Sequence, residues 1–494
     1  MTLIPLDIPA GFYRNGTDYE QSNRWRDGSL VRWRDNSLRP IGGWQERKAS
    51  FSTNPVRGMH TWETNNGNAW MAGGSHSELK VMTGAGVVTD ITPSDLATGR
   101  EDAAVNTGYS GGFYGIGYYG QPIQANSASV PQEATTWSLD NWGEYLLAVH
   151  YDDGRLLEWQ LDTASNAAVV SNAPTDNLAM VVTEERFVFC LGAGGNPRKV
   201  QWCDREDNTT WTPAATNEAG DILLQTSGQI MQGVRTKGQT LILTDQDAHI
   251  ARYLGPPYVY GFERVGTSCG AISRKAACDT DAGVFWMGAN GFFVFDGSSV
   301  RELPCEVHDY IFNDINPAQI SKSWAVSNGQ NAEIWWFYPS ANSTEIDSYV
   351  AYDYQEGHWL IGKLNRTSGV DRGVFRAPIW ADETGDLYDH ETGFNFGTSD
   401  VFAESGPANF GDGEFTFNAK KLIPDELTQG DVELTFKTRL YPNGTETSHG
   451  PYSMTNPTSV RFSGRQARMR VDAVRPTNWR FGIPRLEVSQ GGKR

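Results

Sequence analysis

Short apolar runs alternate with polar, glycine-bearing turns along most of this chain. Six runs stand out: NAWMAG (68–73), YLLAVH (145–150), RFVFCL (186–191), TLILT (240–244), GVFWMG (283–288) and EIWWFY (333–338). They are too short for helices, and the aromatic and β-branched residues within them favour strands. Turn-and-run segments lie alongside them, at 73–93, 150–163, 244–265, 345–364 and 381–394. GANGFFVFDGSSVRELPC (288–305) shows the pattern most clearly. Its run Phe292 to Phe295 ends at Asp296-Gly297, and a second extended run stops at Pro304, which predicts a hairpin with a tight turn. Centres of these units recur about every 40–55 residues, with one longer gap around 100–135. Repetition of short strands at that period predicts an all-β fold, a divergent β-propeller of about six or seven blades. Unrelated hairpins in a sandwich are the alternative.

Two regions fall outside the repeat. NRWRDGSLVRWRDNSLRPIGGW (23–44) contains two near copies of W-R-D-x-S-L, with Trp25, Leu30, Trp33, Leu38 and Ile41 as apolar anchors. From about 400 onwards, EFTFNAKKL, DVELTFKTRLY, SVRFSGRQARMRVDAV and RLEVSQ read as half-exposed strands. The expected organisation is an N-terminal β segment at 1–45, a propeller at 46–400 and a C-terminal β domain at 401–494. The two terminal regions together form an additional β-rich domain. EVHDYIFNDIN (306–316) is the best helix candidate.

Composition agrees with a folded β protein: 53 Gly, 17 Trp, 19 Tyr and 22 Phe in 494 residues. No apolar run is long enough for a transmembrane helix, and the first residues lack the basic start and apolar stretch of a signal peptide. Charge adds a more specific feature. The net charge is −18, yet residues 461–494 hold nine basic and two acidic groups. A strongly acidic body does not grip nucleic acid by neutralising phosphates. It can line a path along which DNA slides without sticking.

The candidate chemistry is thin. Five cysteines make no C-x-x-C pair and read as buried free thiols, and eight scattered histidines form no ligand motif. Gly115, Gly117 and Gly120 match G-x-G-x-x-G, but Gln121-Pro122 follows where a dinucleotide site needs a helix. That segment, a Gly/Tyr loop at 109–125, is instead a candidate channel gate at the bore, with a contact to the next subunit as the alternative. Tyr109, Tyr114, Tyr118 and Tyr119 are bulky, and its glycines let the backbone swing. DREDNTTW (204–211) resembles the aspartate box of sialidase-type propellers, with Asn208 where that motif wants Gly, and reads as a turn.

Four segments in order resemble the tail nozzle proteins of short-tailed bacteriophages, a group that includes tail tubular and packaged-DNA stabilisation proteins. They are Trp33-Arg34-Asp35 with Leu38 to Trp44, the Gly/Tyr loop at 109–120, VQWCDREDNTTWTPAATNEAGDILL (200–224), and the end, with Gly464-Arg465, Trp479-Arg480-x-Gly482 and Gly-Gly-Lys-Arg. The GxNGFFVFDG hairpin is also similar to theirs. The resemblance implies a structural virion protein with no enzymatic activity, catalytic residue, metal or cofactor. It implies a homohexameric ring beneath the head–tail adaptor ring, in contact with tail fibre or tail tip proteins. Double-stranded DNA would pass through the ring without tight binding, and the protein would occupy the virion tail after assembly in the host cytoplasm. Trp33, Trp44, Arg465, Arg468, Arg470, Trp479 and Arg480 are the expected interface residues, with the arginines pairing to carboxylates on a neighbour. The other class of reading is a sialidase-like enzyme or a carbohydrate-binding propeller module.

Overall fold

A computed structural model describes residues 2–104, 132–409 and 415–493. The described part is all-β. Seven four-stranded antiparallel sheets follow one another along the chain, and six of them pair their strands in sequence order. Their first strands are Met59–Glu63, Trp137–Trp142, Ala179–Val182, Ile230–Thr236, Ala277–Thr280, Trp324–Asn328 and Ser368–Val370. Each first strand touches the next, and Ser368–Val370 returns to Met59–Glu63. The result is a closed, β-propeller-like ring. In the last sheet only three strands come from the end of the repeat. The fourth is Trp44–Lys48, which pairs antiparallel with Leu387–His390. The chain therefore closes the ring with its own N-terminal part, and a boundary at residue 45 falls inside that strand.

The apolar runs are the second strands: Ala69–Gly74, Tyr145–His150, Val188–Leu191, Gln239–Thr244, Gly283–Gly288 and Glu333–Tyr338. From Val188 to Leu191 and from Glu333 to Tyr338 every residue is buried. A strand in mid-sheet, packed between two neighbouring sheets, buries both faces and so loses the alternation of a half-exposed strand. In the Gly288–Cys305 segment, Gly291–Phe295 pairs with Val300–Leu303. Between them the Asp296 carboxylate accepts the N–H groups of Ser298 and Ser299, both at 2.9 Å, and Gly297 takes a φ of +96°. These bonds hold Asp296 down at about 2.

Both ends of the chain build a second group of strands. Thr2–Pro5, Arg485–Gln490, Phe417–Ile423 and Thr458–Gly464 form one sheet. Trp25–Ser29, Phe402–Ser405, Gln466–Ala473, Val432–Arg439 and Thr447–Ser453 form another, with Ala408–Asn409 also paired to Gln466–Ala473. A two-stranded hairpin, Val31–Arg34 with Ser37–Pro40, lies between this group and the ring. One continuous core joins them, running from Trp335, Trp336 and Trp359 of the ring through Trp33 to Leu434 and Val460. A short helix, His308–Asp314, packs Ile311 into the same core. Among the described residues no helix is long and apolar enough to cross a membrane.

Candidate functional site

The terminal strands gather most of the residues expected at an interface, but their contacts lie within the chain. Trp33 is buried, with its ring edge-on to Phe12 at 4.9 Å. Trp479 is fully buried. Trp44 is half-buried at the start of the ring-closing strand, 5.4 Å from the His390 ring and under the Arg366 guanidinium. These three tryptophans pack within the chain.

Two of the four arginines are also engaged within the chain. Arg468 pairs with Glu404 and, at 2.9 Å, with Glu446. Arg470 pairs with Asp472 at 2.8 Å and lies over the Phe402 ring. Lys437 reaches the same Glu404 at 2.7 Å. Antiparallel register explains the arrangement, because Glu404 lies opposite Arg470 and Lys437 opposite Arg468. Glu404 is buried, so one carboxylate within the chain already serves three cations. Arg465 is half-buried, its backbone N–H bound to the Arg439 carbonyl. Arg465 and Arg480 make no ion pair among the described residues, and of the two Arg480 is the exposed one. Tyr109, Tyr114, Gly115, Gly117, Tyr118, Tyr119 and Gly120 lie outside the described residues.

The aspartate-box segment is a turn. Asp207 accepts the Thr209 N–H at 2.9 Å, and Trp211 is buried with its indole N–H on the Asn208 carbonyl at 2.6 Å. Cys190, Cys203 and Cys269 are free and buried, and burial pushes the Cys203 thiol up to about 12.

A polar space lies on the ring axis. A cavity of about 170 Å³ is walled by the residues where six of the seven first strands begin, among them Arg57, Thr136, Gln232, Lys275, Ser323 and Ser368. Two of its cations are neutralised from behind. Arg57 pairs with Glu345, and Lys322 pairs with Asp102 at 2.5 Å and with Glu345 at 3.2 Å. Burial would raise the Glu345 carboxyl, but Arg57 and Lys322 outweigh it and hold the group at about 2. Lys275 differs: its ammonium has no hydrogen bond or ion pair among the described residues. Burial pushes it down to about 8, with Asp140 opposing. Nearby, His60 meets the Asn141 amide oxygen at 3.1 Å and Asp140 at 3.9 Å, and burial lowers its pKa. The Ser323 hydroxyl is buried and also lacks a partner.

Sequence reasoning missed this cavity. The signal was available, since Arg57, Lys275 and Lys322 each stand two residues before a first strand. An alignment of the repeats on those strands would have stacked the three cations.

No protein-family model matches the chain, and no curated protein matches it in sequence. Several solved structures overlap it loosely. Virginiamycin B lyase from Staphylococcus aureus does so with a TM-score of 0.44 and 8% identity, over 70% of this chain and 98% of that one. A streptogramin B lyase scores 0.41 with 9% identity, over 70% and 96%. PorZ, a bacterial surface component of the type-IX secretion system of Porphyromonas gingivalis, scores 0.39 with 9% identity, over 76% and 44%. Overlaps this loose say nothing about the chemistry of this chain.

Proposed function

We propose that this chain is a structural subunit of a phage tail nozzle. Its seven sheets are the blades of one propeller, and its two ends make a joint domain through which copies meet in a ring, a homohexamer. The ring extends the DNA channel below the adaptor, retains packaged DNA and lets it out at infection. The supporting observation is that the first and last of the four resembling segments, far apart in sequence, meet in one joint. The Phe481 N–H donates to the Leu38 carbonyl at 2.9 Å, and the Trp25 and Phe481 rings lie 6.4 Å apart. The acidic body fits a path for DNA, because repulsion of phosphates over about 8 Å at physiological salt limits adhesion.

Mass spectrometry of purified virions should find the chain in tails. Particles made without it should fill with DNA and then leak it. Absence of the chain from virions, or full infectivity without it, would contradict the proposal.

A carbohydrate-active propeller is the second reading. One observation favours it: a surface pocket between the second and third sheets is lined by Glu158, Asp162, Trp159 and Asn208. Both carboxylates are already engaged, Glu158 by Asn208 and Asp162 by Ser165. Glycan binding lost on Trp159→Ala would favour this reading over the nozzle.

A further inference from the structure

We infer that the axial cavity is a binding site for a small oxyanion, held by Lys275. This inference does not rest on the proposed nozzle role.

Three observations carry it. The cavity wall includes three cationic side chains, Arg57, Lys275 and Lys322, and no carboxylate, in a chain whose net charge is −18. Arg57 and Lys322 are matched by Glu345 and Asp102 behind the wall, whereas Lys275 has no partner among the described residues. Lys275 is half-buried, and a cation with no protein partner at a cavity wall favours an anion in that space. At about 170 Å³ the space holds a sulfate, a phosphate or a short carboxylate, and not a polymer segment.

The surrounding charges fix the expected pH response. Lys275 faces Asp140, and His60 faces Asp140, Arg235 and Lys275. His60 is held neutral by burial, so it adds no charge at neutral pH. Lys275 is then the group that titrates, and it loses its proton as pH rises through about 8. Anion affinity should hold from pH 6 to 7.5 and fall about tenfold per unit well above pH 8.

The test is calorimetric titration of the full chain with sulfate and, separately, with acetate. Saturable one-site binding of either ion supports the site. Tighter sulfate assigns a tetrahedral oxyanion, and tighter acetate a carboxylate. Lys275→Met should lower affinity at least tenfold and, without anion, melt close to the parent, because Lys275 is half-buried and has no partner to leave behind. The pH series on the unaltered chain needs no variant. No saturable binding of either ion, binding unchanged in Lys275→Met, or affinity flat up to pH 10 would each overturn the inference.

Discussion

The backbone N–H of Phe481 donates to the carbonyl of Leu38 at 2.9 Å, tying the end of the chain to the hairpin that precedes the ring-closing strand. Trp479, fully buried two residues earlier, anchors the same joint. Trp479→Ala should cost about 3–5 kcal/mol, the usual loss for a buried large aromatic. Chemical denaturation should show it as a drop in midpoint, and a change below about 1 kcal/mol would mean that the joint carries little of the fold. Residues 461–494 are not an exposed basic tail, since they supply the strands Gln466–Ala473 and Arg485–Gln490 and this anchor.

Ring closure depends on Gly43, just before the strand Trp44–Lys48. A Cβ there would lie 2.5 Å from both the backbone N and O of Asn395. Gly43→Ala should therefore push the closing strand off Leu387–His390 and cost about 1–3 kcal/mol. Hydrogen exchange should speed up in 44–48 and 387–390. Unchanged protection in both strands would rule this closure out.

Glu345 gives the fold an acid-sensitive brace. Its folded pKa, about 2, lies below the usual 4.5, so its contribution is complete above about pH 4.5 and is lost as pH falls toward 2. Glu345→Gln should destabilise the chain by roughly 3 kcal/mol near neutrality, since it leaves Arg57 and Lys322 short of a partner. The gap between parent and variant melting temperatures should narrow as pH drops from 5 to 3. A gap that stayed constant would show that the pair is not coupled to folding.

Purified chain should not retard duplex DNA at about 0.15 M salt, because few phosphates can be neutralised by a body this acidic. Retardation at micromolar protein would contradict a channel that DNA slides through.

Much of the ring was legible in the sequence. Runs such as EIWWFY declare themselves because a strand buried on both faces must be apolar throughout, and Asp296-Gly297 declares its turn. The pairing of the two chain ends was harder to see. It depends on registers such as Thr2 opposite Val488, which no local pattern encodes. The charge count misled for the same reason. Arg468 and Arg470 looked free in a basic tail, but strand pairing delivers Glu404 to them from more than sixty residues away. Lys275 was hidden because its importance lies in the absence of a partner, a property of the packed ring and not of its neighbours in sequence.

Native mass spectrometry of the chain, alone and with its tail partners, gives the stoichiometry on which the nozzle proposal stands. The proposal predicts a closed assembly of six copies, at least when the neighbouring tail proteins are present, and Arg480→Glu should weaken it while leaving the monomer folded. A single copy, or three, in intact tails would contradict it.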